Sequence, residues 1–309
     1  MNESVMATLV AIAAASIRLA TPYLFASIGE MFAQRSGVLN LGVDGIMLVG
    51  AFAAFYGTLM TGSLWVGVAV ALLAGLAMGM LMSVISVTLK AEQGISGIGL
   101  SLFGLGLSSL LFKTLVGTVK TVDGFQPIRI PGLSELPYLG DILFSQSLPV
   151  YVAFLLVPVS WYVLERTTWG LKVRAVGQNP AAADTLGVNV NLTRYLCVCL
   201  GAMLAGLAGA SLSIALVNLF QENLTAGAGY IAVALVYFGG WRPVGILLGA
   251  LLFSTVTAIQ LRMQVLGVQI PSDFAVMLPY VLTIVALTFS ANRARQPAAL
   301  NQPFERGGA

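Results

Sequence analysis

The sequence predicts an all-α polytopic membrane protein of about 8–10 transmembrane helices, with short or broken helices where a pathway would run. Three observations predict it. Hydrophobic residues make up 58% of the 309 residues and charged residues only 9%, against roughly 25% charged in a soluble globular domain. Mean hydropathy is +0.92. The apolar residues fall into runs separated by short polar stretches, none long enough for a separate soluble domain. Residues 1–309 therefore read as one transmembrane domain with lipid as its main surroundings.

The candidate spans, in order, are 6–33, 44–60, 64–89, 94–112, 148–164, 195–217, 230–239, 244–261 and 274–290. A span needs about 20 apolar residues. The first run is too long, and Arg18 divides it. An arginine at the bilayer centre costs roughly 2.5–3.5 kcal/mol on insertion scales, so Arg18 is expected to snorkel to an interface. That leaves residues 5–17 partly interfacial or as a separate short helix. The run 230–239 is too short to cross unaided and reads as half a helix or one end of a broken one.

Orientation follows from the basic residues, which favour the cytoplasmic side of short loops. Arg166, Lys172, Arg174 and Arg194 flank one polar stretch, and Arg293, Arg295 and Arg306 lie in the C-terminal tail. The stretch 113–147 balances Lys113, Lys120 and Arg129 against Asp123, Glu135 and Asp141. The loop 166–194 and the tail are therefore expected in the cytoplasm, and the loop 113–147 outside. The net charge of +3 is too small to argue for a nucleic-acid partner. No basic n-region opens the chain, so no cleaved signal peptide is expected.

Within the loop 166–194, a short helix can be read from its punctuation. Asn179 is a good N-cap. Pro180 suits the first helical position, where its missing N–H is no loss. Ala181, Ala182 and Ala183 favour helix. Gly187 supplies a left-handed stop. A helix of two turns at most is marginal in water and needs something to pack on. On a charged loop of a membrane protein it predicts a docking surface for a soluble partner. Arg174, Gly177, Asn179, Pro180, Ala182, Asp184 and Gly187 are the candidate contact residues.

Two glycine-rich polar interruptions, 35–45 and 218–229, precede apolar runs in different halves of the chain. Such backbone survives at membrane depth only where it lines a cavity or is buried in protein. An ordinary interfacial loop is the competing reading for each. A third candidate, 94–106, carries glycines suited to close helix packing together with Ser96 and Ser101. The candidate pathway residues are Asn40, Asp44, Ser96, Ser101, Asn218, Glu222 and Asn223. The acids near membrane depth are Glu30, Asp44 and Glu222; the expectation is that all three sit at interfaces, paired with Arg35 or water. A buried, titrating acid would instead suit a proton-coupled carrier.

In the sixth run, Ala202 and Gly206, and Ala205 and Gly209, are small residues four apart, a spacing that lets helices approach closely. Cys197 and Cys199 read as packing residues, since positions i and i+2 do not face each other on a helix. The chain has no histidine, no GxxxxGK[ST] phosphate loop and no TVGYG filter, so an enzyme reading has nothing to stand on and no cofactor or metal is expected.

Three stretches carry a resemblance: RSGVLNLGVDGIMLVGAFAA from Arg35, WGLKVRAVGQNPAAADTLGV from Trp169, and ENLTAGAGYIAVALVYFGGWRPVGILLGALLF from Glu222. They resemble the branched-chain amino acid, ribose and nucleoside superfamily of bacterial ABC-importer permeases, and most of all its nucleoside, simple-sugar-type branch. The resemblance runs from about residue 19 to about residue 287. It implies a multi-pass permease of the cytoplasmic membrane that pairs with a second permease, a copy or a homologue. It also implies two cytoplasmic ATPase subunits and an external substrate-binding lipoprotein. The stretch around Asn179–Gly187 would be the coupling helix. The branch usually carries asparagine within 94–106, where this chain has Ser101, which leaves the substrate contacts open. A nucleoside or similar ribose-containing nutrient is the implied cargo; a simple sugar, riboflavin or a branched-chain amino acid are the alternatives. A proton- or sodium-coupled carrier using Asp44 or Glu222 is the alternative of another class.

Overall fold

The structure, a computed structural model, describes residues 3–265 except 130, 133 and 135, together with 277, 281, 288 and 296–306. Its helices are α1 (Glu3–Arg35), α2 (Val43–Thr61), α3 (Leu64–Ser83), α4 (Gln93–Leu115), α5 (Leu139–Leu143), α6 (Leu148–Arg166), α7 (Thr168–Gln178), α8 (Pro180–Thr185), α9 (Val190–Ser211), α10 (Ala228–Phe238) and α11 (Pro243–Val265). A π-helical turn prolongs α3 over Val84–Thr88, and another prolongs α9 over Leu212–Leu216. The strands β1 (Pro127–Arg129) and β2 (Ser145–Ser147) pair antiparallel, Ile128 opposite Gln146.

Seven described helices are long and apolar enough to cross a membrane, and α10 is a shorter apolar helix. The expected ninth run, 274–290, lies outside the described residues apart from three isolated positions. Two expectations need correction. The first run is not divided, because α1 continues unbroken through Arg18, whose side chain is exposed. The stretch 169–190 is not a loop carrying one short helix. Thr167 caps an eleven-residue helix, α7, by accepting from the amide of Gly170 at 3.1 Å, and α8 follows it.

α1, α2 and α9 form the centre, with α3, α4, α10 and α11 packed around them. Small residues make this possible. A Cβ built on Gly50 of α2 would lie 2.5 Å from Cα of Gly206 on α9, so these backbones touch directly. In lipid, such close packing takes over from the hydrophobic effect as the attraction between helices. The ends of the bundle are called here the α8 end and the α5 end.

Candidate functional site

The two interruptions meet. Asp44 lies in the first turn of α2 and Gly229 in the first turn of α10, and Oδ1 of Asp44 accepts from the amide of Gly229 at 2.9 Å. A helix start leaves four amides without intrahelical partners. The N-cap of α10 is Gly227, at φ +85°, which has no side chain to offer them. Asp44 supplies the missing acceptor from 185 residues away. Ser101 of α4 completes the junction. Its Oγ accepts from the amide of Gly45 at 3.2 Å and from the hydroxyl of Tyr230 at 3.0 Å. Asp44 and Ser101 are buried, while Tyr230 is 44% exposed. Glycine is required on both sides. A Cβ on Gly45 would lie 2.6 Å from Cα of Ser101, and one on Gly229 would strike the backbone of Asp44.

A second network fixes the turn before α2. Oε1 of Glu30 accepts from Nε2 of Gln34 at 2.9 Å and from the amide of Asn40 at 3.0 Å. Oε1 of Gln34 accepts from Nε1 of Trp241 at 2.8 Å. Arg35 donates through Nε and Nη2 to the carbonyl of Trp241, at 3.0 and 2.7 Å. Oε1 of Gln93 accepts from the amide of Leu39 at 2.8 Å. The turn 36–42 is thus tied to α1, to the start of α4, and to the turn between α10 and α11. This corrects the expectation for the acids. Glu30 and Asp44 are buried within the protein, and backbone amides, with Gln34 for Glu30, stand where Arg35 or water was expected. A carboxylate that receives such hydrogen bonds recovers part of the solvation it loses on burial.

The remaining pathway candidates separate. Oδ1 of Asn40 turns back to the amide of Gly42 at 2.9 Å, so it serves the local turn. Ser96 sits at the start of α4, its hydroxyl donating to the carbonyl of Glu92 at 2.6 Å. Asn218, Glu222 and Asn223 lie toward the α5 end. Glu222 is an exposed partner of Lys113 at 3.1 Å. Asn218 and Asn223 take left-handed turn conformations at φ +55° and +56°. The carbonyl of Asn218 holds the amide of Val122 at 2.9 Å, which docks the 116–126 stretch onto the second interruption. Tyr230, Gln34 and Trp241 were not among the candidates. A tyrosine opening an otherwise apolar helix was a usable signal; nothing local marks Gln34 as the partner of Trp241.

At the α8 end the expected punctuation is present. Oδ1 of Asn179 accepts from the amide of Ala182 at 3.0 Å, Pro180 opens α8, and Gly187 stops it at φ +83°. Ala183 is buried against Val176 and Val190, while Ala181 and Ala182 face outward. Leu186, which sequence reasoning passed over, is 85% exposed. Arg174 points back to α6, where it meets Glu165 at 2.9 Å. Gly177 is buried, and any Cβ there would collide with the carbonyl of Arg35, so it serves packing rather than a surface. Arg194, expected in the loop, is buried near the start of α9 and donates to the carbonyls of Ser36 and Gln302 at 3.2 and 2.9 Å.

The segment 296–306 straps this end together. The amide of Ala299 donates to the carbonyl of Gly177 at 2.9 Å, and that of Asn301 to the carbonyl of Gly37 at 3.2 Å. Phe304 packs on the cluster of Val176, Ala183 and Val190. Glu305 pairs with Lys90 at 2.8 Å and Arg306 with Asp184 at 3.0 Å. The Lys90 ammonium, by hydrogen bond and then by charge, holds the Glu305 carboxyl below its ordinary 4.5. The amides of Ile95 and Gly94 do the same for Glu92, which caps α4.

Among the described residues no cluster of three potential metal ligands occurs. The family model described as the permease component of the branched-chain amino acid transport system matches residues 12–287. The chain is 39% identical to the putative glucose ABC transporter permease protein TsgC13 of Haloferax volcanii, over 94% of this chain and 96% of that one. It is 36% identical to the nucleoside ABC transporter permease protein NupC of Lactococcus lactis, over 96% and 97%. It is 33% identical to the guanosine ABC transporter permease protein NupQ of Bacillus subtilis, over 95% and 96%. No solved structure gives a significant match. With its spanning helices, the chain is a multi-pass protein of the cytoplasmic membrane, and it belongs to the branched-chain amino acid transport permease family, the membrane subunits of ABC importers.

Proposed function

We propose that this permease forms half of the pathway for a nucleoside or a related ribose-containing nutrient, and that α8 is the helix through which a separate cytoplasmic ATPase drives it. The observation that carries the second part is the two-sidedness of α8. Ala183 is buried against the bundle, while Ala182 and the 85% exposed Leu186 present a small apolar face to another molecule. The α8 end then lies in the cytoplasm and the 113–147 loop outside. A push on α8 reaches the membrane by a short route. It passes from the buried face of α8 to Phe304, along the strap to Gly37, through the turn fixed by Glu30, and on to Asp44 and Gly229.

The cargo rests on the names of NupQ and NupC. A simple sugar is the second reading, supported by the 39% identity to TsgC13. A polyhydroxylated sugar ring is common to the two. The other half of the pathway is proposed to be a homologous permease. Bacillus subtilis has a second guanosine ABC transporter permease protein, NupP, which is only 26% identical to this chain. An external binding lipoprotein would deliver the cargo.

The test has two arms. Leu186→Asp, or a charge at Ala182, is expected to abolish ATP-driven uptake while the permease remains folded in the membrane. Normal uptake by these variants would overturn the role of α8. In vesicles holding the reconstituted complex, unlabelled nucleosides are expected to suppress uptake more than pentoses, glucose, riboflavin or leucine. Suppression by glucose alone moves the cargo to the sugar reading, and by leucine alone to amino acids.

A further inference from the structure

We infer that the groove between the α8-end termini of α6 and α11 is a binding site for the phosphate of an anionic membrane phospholipid. The groove has a volume of about 620 Å³ and is lined by Trp161, Glu165, Arg166, Arg242, Pro243 and Val244. Its charge is lopsided. The charges of Glu165, Arg174 and Arg242 all act on Arg35, so four guanidinium groups, with Arg166, gather around a single carboxylate. That carboxylate is already paired with Arg174 at 2.9 Å, and Arg35 is held by the carbonyl of Trp241. Arg166 and Arg242 are exposed, and among the described residues neither makes a salt bridge. The N-terminus of the 23-residue α11 opens onto the same groove at Pro243 and Val244 and adds the positive end of its dipole.

A free anion would satisfy these charges as well as a lipid would. The walls favour the lipid. Arg166 stands at the end of an exposed apolar stripe on α6 formed by Leu155, Val159 and Tyr162, at helical spacing. Val244 begins a matching stripe on α11 with Leu248 and Leu252. The rings of Trp161 and Tyr162, 42% and 58% exposed, stand where interfacial aromatics sit, and the guanidinium of Arg166 lies 5.7 Å from the centre of the Trp161 ring. A headgroup in the groove therefore has two apolar tracks along which its acyl chains run into the bilayer. Basic pockets between membrane helices on the cytoplasmic side suit anionic headgroups. Because Arg35 holds Trp241 just behind the groove, a seated phosphate also screens the repulsion among the guanidinium groups beside that latch.

The test uses the full chain purified in mild detergent and native mass spectrometry of retained lipid. Phosphatidylglycerol is expected to be retained roughly 10- to 30-fold better than phosphatidylcholine. That preference is expected to vanish in the double variant Arg166→Gln/Arg242→Gln. It should survive in Lys120→Gln/Arg129→Gln, which removes the same charge from the α5 end. The variant Arg166→Lys/Arg242→Lys, which keeps the charge, is expected to retain an intermediate preference. Equal retention of the two lipids overturns the inference, as does equal loss in both glutamine variants. Displacement of phosphatidylglycerol by an equal concentration of inorganic phosphate also overturns it, since that marks a site for a free anion.

Discussion

The stretches 36–42 and 217–227 both interrupt apolar helices, yet opposite kinds of contact hold them. The first is mostly buried and is tied by the side chains of Glu30 and Gln93 to two other helices. The second is held by Phe220, which is fully buried among Phe52, Phe55 and Phe112, and by short turns of its own backbone. Its polar side chains Glu222 and Asn223 point outward. Hydrogen bonds have direction and a narrow range of lengths, whereas the burial of apolar surface is non-directional. The first stretch is therefore suited to transmit displacement from the α8 end, and the second to yield. Asp44 and Gly229, where they meet, couple a stiff element to a compliant one.

The largest effect expected from this comparison is at the compliant stretch. Phe220→Ala removes its main anchor and should cost about 3–5 kcal/mol, as for other large buried aromatics. The measurement is the thermal unfolding midpoint of the detergent-purified complex. A loss below about 1 kcal/mol would mean that something other than the aromatic cluster holds 217–227.

Asp44→Ala comes next. It leaves a buried amide of α10 without an acceptor, at a cost of about 1–3 kcal/mol. Asp44→Asn keeps an acceptor oxygen and should keep both stability and uptake. This pair also discriminates between mechanisms. Should Asp44→Asn fold normally yet lose uptake, the acid is needed for its charge, and the reading of Asp44 as a distant helix cap fails.

At the α8 end, Asn179→Ala should cost about 1 kcal/mol, the usual loss for an N-cap. Its effect on uptake should exceed its effect on stability, because α8 must keep its shape to be pushed. Hydrogen exchange at Ala182 and Ala183 would report the fraying directly. Unchanged exchange there would place the hold on α8 in Phe304 and the strap alone.

Much of this architecture was legible in the sequence, and the reasons differ by region. The membrane helices were legible because lipid demands long apolar runs, and α8 because its cap, its proline and its stop are all local signals. α7 was not. Gly170 and Gly177 dilute its helical pattern, and both are there for close packing, the first against α6 and the second against the carbonyl of Arg35. Arg194 was misplaced for a related reason. An arginine near a span end ordinarily seeks water, but here two carbonyls brought by distant segments receive it. Asp44 stands out in the sequence because an acid beside an apolar run has to find partners. Its partner, an amide of Gly229, carries no side-chain signature at all. The strap 296–306 read only as a charged tail, because its anchoring hydrogen bonds at Ala299 and Asn301 are made by backbone.

The smallest effect is expected at the ends of that strap. The pair Lys90 and Glu305 is exposed and screened by solvent, so Lys90→Gln should change the unfolding midpoint very little. pH offers a finer probe. The Glu305 carboxyl is held below its ordinary 4.5, so the contribution of its pair is fully present above that value and is lost as pH falls through the lower, folded-state value. Glu92 is depressed in the same direction by the amides of α4, so the cap beside the strap weakens over the same acid range. Acidification should therefore lower the protection factors of the Ala299 and Asn301 amides, measured against their intrinsic exchange rates at each pH, before it lowers that of Gly229, which is buried at the Asp44 junction. Lys90→Gln should remove the part of the acid response that belongs to Glu305 and leave the part that belongs to Glu92. If the Gly229 amide opened first, the stiff element would be the strap and not the turn behind Asp44, and the order of the two interruptions would have to be reversed.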